Sequence, residues 1–487
     1  MIKWRPVVHV LGILLVMLGG IFALCALISL YYKEDVFMPF MSTAIAIVVS
    51  GMLIWRLVRN EDERIGRREG FLIVALAWST MTLAGALPYL TCGIFDQPID
   101  ALFESASGLS TTGASVITDI EIIPRGVLLW RSISQWIGGM GIIVLTVAIL
   151  PILGVGGIEL FVAEAPGPSA EKIHPRIKET AKRLWLMYTG LTVMLAIILV
   201  FLGMGNFDAI NHALTTMATG GFSTKNASIA AFQSPAIEYV ISFFMFLAGT
   251  NYAVIYFSLK GTPLTAMKSE EFRTYFYFIL VTVLVVASVG FWKNTFSMEQ
   301  AFRESLFQVI SIVTTTGFVT ADYTAWHPAL TLIFFFLLFV GGSAGSTSGG
   351  IKVIRHLTFA KNSIIELKRL LHPTAMIRTK IDGKLVAPKI ITHIHVFLLW
   401  YLIIFVAGSI LLSIIMSDFN TPLLDSAGAV ATALSNVGPA IGDLGPMANF
   451  AEVPAAGKLL LVILMIMGRL ELFTILMLFT TYFWRRN

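Results

Sequence analysis

Ten stretches of the chain are apolar over about the 20 residues that a helix needs to cross a hydrocarbon core roughly 30 Å thick. They cover approximately residues 7–30, 36–58, 71–91, 126–150, 181–203, 235–259, 274–292, 328–355, 390–416 and 456–483. No soluble core buries so many. Of the 487 residues, 56% are hydrophobic and 13% charged, with a mean hydropathy of +0.82, whereas a soluble chain carries roughly a quarter charged residues. Lipid is therefore the solvent. The first run follows Lys3 and Arg5, so a secretory signal is the competing reading, but residues 7–30 outrun a signal core of about 7 to 15 residues and a retained span is expected. The net charge of +5 sits in short clusters between apolar runs, which excludes a nucleic-acid partner. Cys25 and Cys92, the only cysteines, encode neither a disulfide framework nor a thiolate metal site.

Basic residues set the orientation, because positively charged loops stay in the cytoplasm. One side receives Lys3, Arg5, Arg56, Arg59, Arg64, Arg67 and Arg68, the 172–183 and 260–273 clusters, the basic stretch 352–389, and Arg485 and Arg486. That is 26 of the 34 basic residues. A multi-pass membrane protein with both termini cytoplasmic is expected. The opposite side holds sixteen acidic against seven basic residues, a field that concentrates cations, with a merely hydrated acidic surface as the alternative.

Four of the outer loops are too long and too apolar to be connectors, and they share one layout. Each opens on a turn signal, continues through an apolar stretch of about 11 to 15 residues, and closes on a Ser/Thr/Gly-rich run. The closing runs are Ser110-Thr111-Thr112-Gly113-Ala114-Ser115, Ala218-Thr219-Gly220-Gly221-Phe222-Ser223-Thr224, Thr314-Thr315-Thr316-Gly317-Phe318-Val319-Thr320 and Leu434-Ser435-Asn436-Val437-Gly438-Pro439-Ala440. Such stretches are too short to cross a bilayer and read as re-entrant helices, N-capped by Asp, Asn, Ser or Thr with Pro at the start. Their C-terminal partial negative charge points toward the membrane middle and favours a cation. Irregular backbone at that depth requires burial in protein or a water-filled path. Taking Gly113, Gly220, Gly317 and Gly438 as equivalent gives four span–loop–span copies around a pseudo-fourfold axis, with carbonyl oxygens able to replace an alkali cation's hydration. The expected fold is an all-α polytopic membrane protein of ten transmembrane helices and four re-entrant loops. Residues 1–62 form a two-span N-terminal extension, and 63–165, 166–265, 266–370 and 371–487 are the repeats.

The runs Ser110 to Ser115, Ala218 to Thr224, Thr314 to Thr320 and Leu434 to Gly442 resemble the selectivity loops of the Trk/Ktr/HKT superfamily, most closely its bacterial Trk-type potassium-uptake membrane subunits. The resemblance covers nearly the whole chain. It implies a single filter glycine per loop, here Gly113, Gly220, Gly317 and Gly438, flanked by Thr111, Thr112, Thr219, Thr315, Thr316, Asn436 and Val437. Glycine in the first loop, where sodium-preferring plant relatives often carry serine, implies potassium as the transported and filter-bound ion. The fourth loop departs from the Thr-x-Gly theme with Asn436-Val437-Gly438-Pro439.

Two features lie below these loops. Arg469 falls near the middle of the last apolar run, where a central Arg costs about 2.5 to 3.5 kcal/mol, so it either faces a pore or pairs with a nearby acid such as Glu471. Residues two apart on a helix diverge, which favours the pore. The run Gly341-Gly342-Ser343-Ala344-Gly345-Ser346-Thr347-Ser348-Gly349-Gly350 cannot stay helical when each Gly costs about 1 kcal/mol relative to Ala. It lacks the spacing of a phosphate-binding loop. The family resemblance implies that Gly341, Gly342, Gly345, Gly349 and Gly350 belong to an intramembrane gate loop and that Arg469 is an electrostatic barrier beneath the filter.

No enzyme is expected. His393 and His395, two apart on a helix, diverge and do not make a metal site. The glycines of 154–157 lack G-x-G-x-x-G spacing, so the chain encodes no nucleotide domain and no organic cofactor. The resemblance implies a TrkA-like cytoplasmic nucleotide-binding regulatory subunit docked on a homodimer in the bacterial inner membrane. The 352–389 stretch is a candidate dock, and membrane lipid headgroups are an equal alternative. The competing function is a secondary transporter with a broken-helix site for a small organic solute at the midplane.

Overall fold

With no water to bond exposed N–H and C=O groups, apolar spans satisfy their backbone internally as helices. A computed structural model describes residues 2–58, 66–144, 177–260, 263–293, 297–375 and 377–485. Arg59, Arg64, Lys172, Arg176, Arg486, the 145–150 end of the fourth apolar run, the 154–157 glycines and the repeat boundaries at 62/63 and 165/166 lie outside the described residues. In chain order the helices are α1 (Trp4–Tyr31), α2 (Phe37–Leu57), α3 (Arg67–Thr91), α4 (Pro98–Leu109), α5 (Arg125–Val144), α6 (Ile177–Phe201), α7 (Asn206–Met217), α8 (Pro235–Ala248) and α9 (Tyr252–Lys260). They continue as α10 (Glu270–Lys293), α11 (Met298–Val313), α12 (Pro328–Leu337), α13 (Val353–Leu371), α14 (Pro388–Ile415), α15 (Pro422–Ser435), α16 (Ala455–Arg469), α17 (Phe473–Leu478) and α18 (Thr481–Trp484). A hairpin of β1 (Lys380–Ile381) and β2 (Lys384–Leu385) turns through Asp382 and Gly383, both left-handed, between α13 and α14.

Among the described residues, six helices are continuous, long and apolar enough to cross a membrane, and α8 with α9 makes a seventh bent by 103°. Three of the apolar runs are interrupted, at 249–251, after Leu337 and after Arg469. The 235–259 run breaks at Gly249 to Asn251 because the carbonyls of Ala248 and Gly249 serve another segment, accepting from Thr347 and Ser343, while Asn251 caps α9 at Ala253 N, 2.8 Å away. The 328–355 run breaks after Leu337 at the glycine-rich segment, as its composition predicts. The 456–483 run stops at Arg469, and Glu471 and Leu472 then take positive φ. Arg469 is therefore the last residue of α16 and not a mid-helix residue.

α1 lies tightly on α2: a Cβ on Gly12 would meet Trp55 N at 2.8 Å, and one on Gly51 would meet Gly12 O at 2.8 Å. Glycine at such a crossing lets two backbones approach in lipid, where apolar burial alone gives no preference. Phe22 of α1 packs edge-on against Trp130 of α5, ring centroids 4.7 Å apart, which binds the first helix into the core.

Short helices α4, α7, α11 and α15, of 12, 12, 16 and 14 residues, form at the four stretches that the sequence marks as too short to cross a bilayer. Each packs against the long helix before it and a helix after it, α4 for instance between α3 and α5. Their starts differ from expectation. Only Ser297 makes a side-chain cap, accepting from Gln300 N at 3.2 Å, whereas Gln97, Gly205 and Thr421 make none. Pro98 and Pro422 occupy first-turn positions and Asp100, Asp208 and Asp425 sit in first turns, so helix starts here rest on preset φ and dipole more than on capping.

Candidate functional site: a ring of four loop ends

All four short helices stop in the same way. A left-handed residue follows each helix, two positions on at Thr111 (φ 57°), Thr219 (52°) and Thr315 (56°) and immediately after it at Asn436 (56°). Two reverse hydrogen bonds close each end; Thr111 N donates to Gly108 O at 3.0 Å and Thr112 N to Ser107 O at 2.9 Å, a pattern repeated at Thr219/Gly220, Thr315/Thr316 and Asn436/Val437. This is the Schellman stop, which usually places Gly at the left-handed position. β-branched Thr there is an outlier costing roughly 1–2 kcal/mol per residue, and strain of this kind concentrates at functional sites. Asn436 tolerates the same angles, so the fourth loop keeps the backbone path despite its different sequence.

Two residues further on, the chain is left-handed again at Gly113, Gly221, Gly317 and Gly438. The second-loop glycine in register is therefore Gly221 and not Gly220, which instead matches Thr112, Thr316 and Val437. Gly220 lacks a side chain for a different reason: a Cβ would run into the Gln135 amide. Gln135 Nε2 donates to Gly220 O at 2.5 Å and its Oε1 accepts from Phe222 N at 3.0 Å.

The four glycines form a closed circuit. A Cβ on Gly113 would collide with Gly220 O, one on Gly221 with Thr316 O and one on Gly317 with Val437 O, while one on Gly438 would lie 2.7 Å from Thr112 O. Each glycine thus abuts the preceding carbonyl of the next loop, and the fourth returns to the first. Hydroxyl pairs repeat across the ring as well, Ser110 with Thr112 at 2.6 Å and Thr314 with Thr316 at 2.8 Å. Asn436 Nδ2 donates to Thr112 Oγ1 at 3.0 Å and to Met465 O at 2.9 Å. Buried Thr111 Oγ1 and Asn436 Oδ1 have no hydrogen-bond partner among the described residues. Neutral oxygens held this way suit a monovalent cation stripped of water.

The glycine-rich segment sits against the helix ends of this ring. Gly349 N donates to Thr315 Oγ1 at 2.6 Å, and Thr219 Oγ1 donates to Thr347 Oγ1 at 3.3 Å. A Cβ on Gly349 would lie 3.0 Å from Asn436 Cβ, and Gly341 packs against Gly349 and Gly350. Gly342 N bonds Ser348 Oγ at 3.0 Å, and Gly345 and Gly350 are left-handed. Arg469 is buried and donates to Thr347 O at 3.0 Å and to Gly138 O. Glu471 pairs with Arg355 instead. The five glycines and Arg469 therefore meet in space, and the Arg469–Glu471 alternative is not the observed arrangement.

Sequence reasoning missed Gly221, Gln135, Ser343, Thr347 and the buried Glu104–Arg131 pair. Aligning on Thr-x-Gly gives Gly221 directly, and the acid and base within apolar helices were a visible signal. His395 Nδ1 bonds Ile391 O at 2.7 Å, and among the described residues no three His, Cys, Asp or Glu side chains cluster as metal ligands.

A family model described as TrkH, cation transport protein, matches residues 37–485. The chain belongs to the TrkH family. Relatives of this TrkH-family chain include the Trk system potassium uptake protein TrkH of Salmonella typhimurium, 40% identical over 487 residues and 99% of both chains. The Trk system potassium uptake protein TrkG of Escherichia coli is 33% identical over 485 residues and 99% of both. The crystal structure of the potassium transporter TrkH from Vibrio parahaemolyticus superposes with a TM-score of 0.89 at 36% identity, covering 99% of this chain and 100% of that one.

Proposed function

We propose that this TrkH-family chain is the potassium-conducting membrane subunit of a Trk-type uptake system, and that the ring of Gly113, Gly221, Gly317 and Gly438 with its neighbouring carbonyls is the selectivity filter. The closed circuit of glycine–carbonyl contacts carries this reading, because four equivalent left-handed positions in cyclic contact are what a carbonyl-lined cation site needs. The potassium-uptake names of full-length relatives support it over the organic-solute transporter. In this reading the chain crosses the membrane ten times: through the six continuous helices, α5, the bent α8–α9 pair, and the interrupted runs at α12 and α16. Both termini are cytoplasmic, and the protein works as a homodimer in the inner membrane.

A cation leaving the ring then meets the 341–350 segment and Arg469 as a closed gate. Two like charges about 4 Å apart repel by roughly 4 kcal/mol at an effective dielectric of 20, enough to hold back potassium until the segment moves. Control of that movement falls to a cytoplasmic nucleotide-binding subunit docked near the basic 352–389 stretch. Uptake of labelled rubidium against labelled amino acids into vesicles tests the function. Rubidium accumulation is expected, and solute uptake without rubidium flux would end the reading.

A further inference from the structure

We propose that Glu104 and Arg131 are positioning residues that set potassium selectivity by fixing the distance between the first and second loops. The proposal rests on the filter reading above. Glu104 of α4 and Arg131 of α5 are 0% and 1% exposed. Taking two charges out of water is costly, and an apolar pair of similar volume usually stabilises as well, so a buried pair needs a reason other than stability.

The contacts of the guanidinium supply one. Arg131 Nε donates to Glu104 Oε1 at 2.8 Å, Nη2 to Ser115 Oγ at 3.2 Å and Nη1 to Ser223 O at 3.1 Å. Its Cζ lies 4.0 Å from the centre of the Phe222 ring. Ser115 and Ser223 each follow their loop glycine, Gly113 or Gly221, by two residues. One planar fork therefore spans the outgoing strands of adjacent loops at the seam where Gly113 abuts Gly220 O. Glu104 completes the brace, accepting from Ser115 Oγ and from Val116 N, each at 3.0 Å.

The other repeats show which part is shared. At the same register as Glu104, His212 Nε2 bonds Ser223 Oγ at 2.9 Å, and Gln308 Nε2 donates to Thr320 Oγ1 at 3.2 Å. Ala429, the fourth equivalent, has no polar side chain. In three repeats the short helix is thus tied to its own outgoing strand. Among the described residues, only Arg131 adds a cation that joins two loops through these positions. Lys in its place keeps the charge but puts its donors on a single nitrogen and loses the planar fork whose separated nitrogens reach both loops.

The test uses the full chain in proteoliposomes and reads the potassium-to-sodium permeability ratio, rubidium uptake per inserted protein, and melting temperature. Arg131→Lys and Glu104→Gln are expected to lower the ratio about fivefold to tenfold, the scale of one ordinary hydrogen bond, with rubidium uptake retained. Ser115→Ala removes the hydroxyl link without touching either charge, and should lower the ratio in the same direction even if the charge variants fail to insert. Gly113→Ser is the control. A wild-type ratio in inserted Arg131→Lys and Ser115→Ala, with the ratio lost in Gly113→Ser, overturns the proposal and leaves the filter standing. A lowered melting temperature with an unchanged ratio assigns the pair to stability alone and overturns it too. No change in Gly113→Ser would overturn the filter reading itself.

Discussion

Threonine is a poor choice for a left-handed helix end, yet it holds three of the four here, and at two of them the hydroxyl is used. Thr315 receives Gly349 N and Thr219 donates to Thr347, so the strained residues also hold the segment below them. At this scale Arg469 gives the clearest prediction. Glu471 keeps its Arg355 partner when Arg469 is removed, and Arg469→Ala should raise rubidium uptake per inserted protein severalfold as a repulsion of roughly 4 kcal/mol is partly relieved. Lower uptake together with a lower melting temperature would return Arg469 to a structural role. Gln135 predicts the opposite kind of effect. Gln135→Leu leaves Gly220 O and Phe222 N without their present partner, so stability should fall by about 1–3 kcal/mol, read as a lower melting temperature.

Among the helices, length and apolarity were enough to read which stretches form long helices and which form short ones. α4, α7, α11 and α15 are short because Ser/Thr/Gly runs follow them, and the 341–350 break follows from its glycines. The breaks at Gly249 and after Arg469 were not legible, since Thr250-Asn251 and Arg469-Leu470-Glu471 are brief interruptions in long apolar runs, and at the first the cause is tertiary: Ala248 O and Gly249 O are claimed by a segment about a hundred residues away. The second loop was read one residue out of register because two glycines adjoin; Thr-x-Gly spacing and the left-handed backbone both select Gly221. The glycine-rich segment makes a prediction at this scale. Shortening Gly345 to Gly349 removes the Gly349–Thr315 bond, and if the segment is the proposed gate, flux through inserted protein should rise. Thr315→Val, which loses only the hydroxyl, should raise it less. Equal or lower flux in both would remove the segment as a gate.

Over the whole molecule, four short helices end in one ring whose members are equivalent in backbone and unequal in support. The first and second loops are braced by the Glu104–Arg131 pair, the third by Gln308, and the fourth by Asp425, which accepts from Thr421 Oγ1 at 3.0 Å and Asp443 N at 2.8 Å. Loops held so differently can share one function only if they surround one axis. The potassium-to-sodium permeability ratio measured for Gly113→Ser, Gly221→Ser, Gly317→Ser and Gly438→Ser in turn tests this most directly. Each added side chain meets a carbonyl of the next loop in a left-handed backbone. The account predicts that all four variants lose discrimination against sodium; an unchanged ratio in any one of them, inserted in normal amount, would contradict a ring of four equivalent loops.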